Sequence, residues 1–198
     1  MSALLKTFAA PPVDEREIAR YAGCRASNRQ IEEKIRACLA QVQDTLKYTV
    51  VYREYPVTLA DGIADFGDFR IVSQSLCRTL AGCDRAVLFA ATVGLAIDRL
   101  IARYSITEPS KALLLQSIGA ERIEALCDCF CDFLAEQAAR RGKVLRPRFS
   151  PGYGDCPLTA QRDIFTQLDC GRSIGLSLTQ TLMMSPSKSV TAIVGLGW

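Results

Sequence analysis

The sequence is organised around EPSKALLLQSIGAERIEALCDCFCDFLAEQAARR, residues 108–141, its longest stretch with a single periodicity. Apolar side chains recur there at spacings of three and four, which predicts a long helix with one buried face. Pro109 is acceptable in the first turn of that helix, and Gly142 ends it. Such a helix needs a sheet to cross and cover. The predicted buried stripe is Leu113, Ala120, Ile123, Cys127, Phe130 and Leu134.

Strand-like segments flank this helix on both sides. Residues 49–57 are rich in β-branched and aromatic side chains, and residues 85–92 form a continuous apolar run typical of a buried strand. Two further strand-like runs, 174–178 and 189–194, close the chain, with residues 183–188 as a predicted hairpin loop between them. Aspartate and glycine between 61 and 68 indicate loops or turns.

The first 45 residues have a different character. Residues 1–13 are interpreted as a tail that ends at Pro11-Pro12, followed by helices that begin at the cap residues Asp14 and Asn28. We therefore predict a helical N-terminal lead-in over 1–45 and an α+β domain over 46–198, packed as one unit. The predicted fold class is a twisted antiparallel sheet with long helices packed on it.

The composition excludes several classes of function. With a net charge of +3, the chain is not basic enough to indicate nucleic-acid binding. Its longest apolar run, residues 86–97, is too short to span a bilayer, and the first residues do not resemble a secretory signal, so a cytoplasmic location is expected. The chain contains no histidine, which excludes Ser-His and Cys-His nucleophile pairs and imidazole ligation of a metal or corrinoid.

A second stretch, RFSPGYGDCP at residues 148–157, has the composition of a binding loop. Its two prolines and two glycines exclude regular structure, while Arg148 and Tyr153 suit a ligand with a carboxylate and a flat or cationic group. A surface turn stiffened by proline has the same composition, so both interpretations stand at this point. A reactive thiol at Cys156 is a further alternative.

The nine cysteines show no disulfide framework. Cys127, Cys129 and Cys131 form a C-x-C-x-C run, but within a helix only the first and third thiols share a face. Structural metal sites usually use C-x-x-C pairs on turns, so we predict core residues there and no metal site.

The chain resembles a known family, the S-adenosylmethionine-binding activation domain of vitamin B12-dependent methionine synthase, in particular its short stand-alone members. The family loop reads approximately R-P-A-P-G-Y-P, and residues 148–154 here read RFSPGYG, followed by a matching Cys156-Pro157. Weaker similarities are found at residues 90–94 with Asp98, at 120–124, and at 184–190. The resemblance covers most of residues 45–195.

The resemblance implies a site for S-adenosylmethionine in a shallow groove. Arg148 would engage the methionine carboxylate, the backbone at Ser150 would help to hold the adenosine part, and Tyr153 would lie along the ligand. The complete set of binding residues expected from the matching motif is Arg148, Ser150, Gly152, Tyr153 and Cys156. The chain departs from the family at Ser189-Val190, where methionine synthase carries tyrosine, and it shows no clear match for the acidic residue that meets the methionine amino group.

The implied function is that of a separate reactivation subunit with no complete active site and no catalytic side chain of its own. It would present S-adenosylmethionine to cobalamin on a partner, either a methionine synthase or another corrinoid protein, with flavodoxin or ferredoxin as the electron donor. The alternative is a non-catalytic scaffold that docks on a corrinoid methyltransferase without binding S-adenosylmethionine. A third hypothesis is an enzyme that acts on another adenosyl or carboxylate ligand.

Overall fold

The protein is described from a computed structural model, which describes residues 3–24 and 29–198. The strands are β1 Leu4–Thr7, β2 Thr49–Pro56, β3 Thr58–Ala60, β4 Ile63–Asp65, β5 Arg70–Val72, β6 Cys83–Thr92, β7 Val144–Leu145, β8 Ser177–Leu178, β9 Met184–Ser185 and β10 Ser189–Gly197. The helices are α1 Glu15–Tyr21, α2 Arg29–Val42, α3 Gln74–Thr79, α4 Ala96–Thr107, α5 Pro109–Ala139, α6 Gln161–Leu168 and α7 Cys170–Ile174, and a 3-10 turn spans Leu158–Ala160.

The main sheet is antiparallel, with the strand order β1-β2-β6-β10-β7. Strand β6 lies at its centre, and its apolar sequence follows from cover on both faces. Val87 and Phe89 point into one core, whereas Leu88 and Ala90 point into the other, as the two-residue period of a strand requires. The molecule therefore has two cores, one on each face of a shared sheet.

The first core lies under α5, the predicted long helix, together with α1, α2 and α4. Ile123, Cys127, Phe130 and Leu134 of the predicted stripe are buried, but Leu113 is 51% exposed, although its neighbours Ala112 and Leu115 are buried. The second core lies under α3, α6 and the small sheet β3-β4-β5. This arrangement confirms the predicted fold class, an α+β fold with an antiparallel sheet and packed helices.

A buried ion pair connects the N-terminal segment to α5. Arg122 pairs with Glu121 and donates hydrogen bonds to the carbonyl oxygens of Pro11 at 2.7 Å and Pro12 at 2.6 Å. The backbone N–H of Asp14 donates to Glu121 Oε1 at 3.0 Å, and the Asp14 carboxylate caps α1. The predicted cap at Asp14 is thus confirmed, while that at Asn28 lies outside the described residues.

Three predictions from the sequence were wrong in whole or in part. Residues 4–7 are not part of a tail, because β1 pairs with β2 and adds a strand to the sheet. The predicted turns at Asp61-Gly62 and Gly67-Asp68 are confirmed, but Asp65 belongs to β4, and these turns connect the short strands of the β3-β4-β5 meander, which was not predicted. The predicted strand 174–178 is reduced to β8, since residues 170–174 form α7, and β8 pairs with β9 rather than with β10.

Within residues 3–24 and 29–198, no helix combines the length and the apolar character needed to cross a membrane.

Candidate ligand groove

The candidate site lies where one edge of the main sheet becomes uncovered. Along the outer edge of β10, Arg146 donates its backbone N–H to the carbonyl of Gly195 at 2.8 Å, and Phe149 exchanges two backbone hydrogen bonds with Ile193. The next rung of an antiparallel ladder would fall at Thr191. Pro151 lacks an N–H and turns the chain away, so the edge of β10 opens there into a groove.

The segment after the ladder, residues 148–157, is called here the Arg148 loop. Three backbone hydrogen bonds close it on itself, from the Gly152 N–H to the Cys156 carbonyl at 3.0 Å, from the Cys156 N–H to the Tyr153 carbonyl at 3.0 Å and from the Tyr153 N–H to the Ser150 carbonyl at 3.3 Å. Gly152 has φ of +92°, a conformation that favours glycine. The loop is therefore a folded unit with a defined shape.

An aspartate anchors this loop to the second core. The carboxylate of Asp155 accepts hydrogen bonds from Ser73 Oγ at 2.6 Å and from the backbone N–H groups of Gln74 at 2.7 Å and Ser75 at 3.0 Å. These donors lie at the N-terminus of α3, where a negative charge is favoured. The bonds from Ser73 and from these backbone amides hold the pKa of Asp155 well below its usual range.

The Arg148 loop, β10, α5 and α6 enclose a groove of about 380 Å³, called here the Arg148 groove. Its size is within the range of roughly 300–1,000 Å³ that small-molecule sites occupy. The residues that line it are Glu124, Arg148, Phe149, Ser150, Pro151, Tyr153, Gln161, Met184, Ser189, Val190 and Thr191.

Three of the five expected binding residues, Arg148, Ser150 and Tyr153, come together in the lining of this groove. The other two do not line it. Gly152 is exposed on the loop, and Cys156 is 3% exposed and packs in the second core. Burial raises the pKa of the Cys156 thiol, which opposes thiolate formation and disfavours the alternative of a reactive cysteine.

Arg148 is held at the groove by two carboxylates of α5. Its guanidinium lies 2.5 Å from Glu124 and 3.3 Å from Asp128. Burial opposes its charge, but the nearby carboxylates of Glu124 and Asp128 outweigh this and raise the pKa of Arg148 above its usual value. The guanidinium therefore stays charged and is oriented before any ligand arrives.

The sequence prediction did not assign a role to Glu124, although the residue belongs to the matching segment 120–124. Glu124 lines the groove beside Arg148, and its side chain is 42% exposed. A signal was available in the sequence, since Glu124 and Asp128 are four residues apart on a predicted helix and so share a face. What the sequence could not show is that this face meets Arg148.

Two other lining residues were also missed. Gln161, the first residue of α6, is 6% exposed, and Thr191 on β10 is 2% exposed. No local signal distinguishes them, since glutamine at a helix start is ordinarily a surface residue and threonine in an apolar strand is ordinarily a packing residue.

The far end of the groove is fixed by the segment that precedes β10. Asp98 on α4 accepts hydrogen bonds from the Ser187 backbone N–H at 2.6 Å and from Ser187 Oγ at 2.7 Å. Ser189 Oγ lies 2.9 Å from both Thr92 Oγ1 and the Pro186 carbonyl oxygen. The Ser189 hydroxyl is thus engaged within the protein, at the Ser189-Val190 segment that departs from the tyrosine of the resembled family.

A larger groove of about 450 Å³ lies elsewhere, between β2 and the C-terminal part of α5, near Tyr52 and Phe133. None of the expected binding residues lines it, and its walls are mainly apolar.

Among the described residues, no group of three or more cysteine, aspartate or glutamate side chains is placed to hold a metal ion. Burial raises the pKa of Cys127, Cys129 and Cys131.

Comparison with known proteins completes this description. A family model described as "Vitamin B12 dependent methionine synthase, activation domain" matches residues 76–196, which is more than half of the chain. The crystal structure of the MetH reactivation domain bound to AdoHcy is similar, with a TM-score of 0.71 and 14% sequence identity over 98% of this chain and 78% of that chain. At this identity the likeness shows a shared fold of helices and a curled antiparallel sheet. No curated protein matches the sequence.

Proposed function

Because the chain belongs to the family of the vitamin B12-dependent methionine synthase activation domain, we propose that it binds S-adenosylmethionine in the Arg148 groove as a stand-alone reactivation subunit. Its partner would be a cobalamin-dependent methionine synthase or another corrinoid protein, with flavodoxin or ferredoxin as the electron donor. When bound, S-adenosylmethionine would supply an electrophilic methyl group to a cobalamin reduced by one electron, leaving S-adenosylhomocysteine. The chain has no histidine, which supports placing the corrinoid on the partner.

The observation that carries this proposal is the Arg148–Glu124 pair in the groove. The amino-acid end of S-adenosylmethionine has one carboxylate and one ammonium group. A guanidinium binds the carboxylate through paired hydrogen bonds, and a glutamate accepts hydrogen bonds from the ammonium group. The ligand would exchange one ion pair for two, so neither protein charge is left buried without a partner. Glu124 is accordingly our candidate for the acidic residue that the sequence did not reveal.

The remaining expected residues have supporting roles in this proposal. Tyr153 is 69% exposed, so its ring can lie against a sulfonium cation without first moving out of a packed core. Ser150, where the ladder with β10 has ended, offers its backbone N–H to the adenosine part, while its carbonyl accepts from the Tyr153 N–H. Gly152 and Cys156 hold the shape of the Arg148 loop from outside the groove. The protein thus contributes orientation and requires no acid or base of its own.

Calorimetry with S-adenosylmethionine and S-adenosylhomocysteine tests the proposal. We expect binding to the wild type, loss of binding in Arg148→Ala, and unchanged binding in Arg140→Ala, which removes an exposed arginine outside the groove. If neither ligand binds to the free chain or to its complex with a corrinoid partner, the proposal fails.

One observation favours the alternative of a scaffold that does not bind S-adenosylmethionine. Ser189 and Val190 line the groove where the resembled family has tyrosine, and the Ser189 hydroxyl already has two partners. The two functions separate in Arg148→Ala. In a ligand-presenting subunit this substitution abolishes reactivation of the partner and leaves docking intact. In a scaffold it changes neither docking nor the activity of the partner.

A further inference from the structure

Two buried oxygen atoms in the Arg148 groove have no hydrogen-bond partner among the described residues. They are Oε1 of Gln161 and Oγ1 of Thr191, on side chains that are 6% and 2% exposed. Buried polar groups in folded proteins are nearly always hydrogen-bonded, because an unpaired one loses its interaction with water and gains nothing. Two such atoms in the lining of one groove indicate that a ligand supplies the missing partners.

The groove has a charged end and a neutral end. Arg148 and Glu124 meet on the α5 side of the sheet. Thr191 belongs to the same alternating set of β10 as Ile193, which packs in the second core beneath α6, the helix that begins with Gln161. The unpartnered atoms therefore lie toward the opposite face of the sheet from the ion pair. A ligand that occupies both ends must be a zwitterion at one end and a neutral group with hydrogen-bonding atoms at the other.

We propose that Gln161 and Thr191 select an adenine base, with the Gln161 carboxamide oxygen accepting a hydrogen bond from the 6-amino group. A carboxamide carries an acceptor and a donor side by side, and glutamine pairs in this way with the amino group and an adjacent ring nitrogen of adenine. The Thr191 hydroxyl then donates to a ring nitrogen. This inference rests on the proposed function, since the charged end accounts for the amino-acid part of the same ligand.

The proposal is tested by removing the 6-amino group of the ligand and the carboxamide of Gln161, separately and together. Binding of S-adenosylhomocysteine and of its analogue with hydrogen in place of the 6-amino group is measured by calorimetry in the wild type, Gln161→Met and Thr191→Val. We expect the analogue to bind the wild type about tenfold more weakly than S-adenosylhomocysteine, the value of one hydrogen bond. In Gln161→Met the two ligands should bind equally, both more weakly than S-adenosylhomocysteine binds the wild type.

A matched control is Gln167→Met, the same substitution on the same helix. Gln167 accepts a hydrogen bond from Tyr55 at 2.9 Å and does not line the groove, so this variant should keep the tenfold discrimination. The melting temperature of the free protein gives a second measurement. Gln161→Met should leave it unchanged or raise it, because an apolar side chain of similar shape replaces an unpaired polar one, whereas a structural role for Gln161 predicts a decrease.

The possible failures can be distinguished. If the wild type binds S-adenosylhomocysteine but the 6-amino group contributes equally in Gln161→Met and the wild type, the adenine-selecting role is wrong and the proposed function stands. A lowered melting temperature of Gln161→Met with unchanged discrimination would also overturn this role. If the wild type binds neither ligand, the proposed function and this inference fail together.

Discussion

Two arginine–glutamate pairs involve glutamates of helix α5 that lie about one turn apart, Glu121 with Arg122 of the same helix and Glu124 with Arg148 of the Arg148 loop. In the first pair, Glu121 and Arg122 have side chains that are 4% and 2% exposed, and carbonyl groups of the N-terminal segment occupy the remaining guanidinium donors. In the second pair, Glu124 and Arg148 are 42% and 27% exposed and face a groove. The buried pair is engaged by backbone groups of the N-terminal segment and so fixes that segment on α5. The open pair has exposed hydrogen-bonding atoms, so its two side chains can exchange partners with a ligand.

The largest expected effect separates the two glutamates. Glu121→Gln leaves the Arg122 charge buried without compensation, and we expect a loss of about 3–5 kcal/mol in the free energy of unfolding. Glu124→Gln, the same substitution one turn later, should cost less than about 1 kcal/mol because water reaches that pair. Urea denaturation of both variants provides the measurement. Equal losses would mean that the two pairs do not differ in the way described.

The next effect concerns the loop that places Arg148. Gly154 has φ of +56°, and a Cβ atom there would lie 2.7 Å from Ser75 Oγ. Gly154→Ala should therefore destabilise the protein by about 1–2 kcal/mol through backbone strain and this close contact. Gly154→Ala should also weaken ligand binding. In Glu121→Gln, by contrast, the molecules that remain folded should bind the ligand as the wild type does. Gly142→Ala is a suitable control, since its added Cβ meets no atom within 4 Å while its φ is also positive.

A smaller effect is expected from Arg148→Lys. Lysine preserves the positive charge but cannot form the two parallel hydrogen bonds of a guanidinium with a carboxylate. Affinity for S-adenosylhomocysteine should fall about tenfold, with no change in the midpoint of urea denaturation. Calorimetry measures the change in affinity, and urea denaturation measures any change in stability. A fall in stability comparable to that of Glu121→Gln would show that the open pair is structural as well.

The smallest effect is a dependence on pH. The folded-state pKa of Asp155 lies below its ordinary value, so the unfolded chain binds more protons at acidic pH and stability falls as the pH falls. The contribution of Asp155 is complete above about pH 5 and is lost progressively below about pH 4. In Asp155→Asn this part of the acid dependence should be flattened. Thermal denaturation between pH 2 and pH 7 (roughly the range over which carboxylates titrate) compares the variant with the wild type.

The helices and strands show how far the sequence could predict this fold. Helix α5 and strand β6 were predictable because long periodic or continuous apolar segments leave few alternatives. The meander β3-β4-β5 was not, because strands of three residues are too short to show a period, and the turn residues between them also suit loops. Strand β1 was missed because a short half-apolar segment near the start of the chain becomes a strand only when an edge such as β2 is available to pair with it.

At the candidate site, the motif of the Arg148 loop predicted Arg148, Ser150 and Tyr153, which the fold brings into the lining of one groove. The same motif included Cys156, whose side chain is buried in the second core, because a sequence motif does not distinguish residues that line a groove from residues that hold the shape of its loop. Gln161 and Thr191 could not be found in this way. Both side chains are buried without a partner among the described residues, and this property arises only when distant segments of the chain pack together around the groove.

The anchor formed by Asp155 has a consequence for how this protein folds. The hydrogen bond from Ser73 to Asp155 joins residues 82 positions apart in the chain. Contacts between such distant segments form late, because a long stretch of chain must first lose its conformational freedom. Docking of the Arg148 loop therefore requires the N-terminus of α3 to be in place, and ligand binding during refolding would report when this contact has formed.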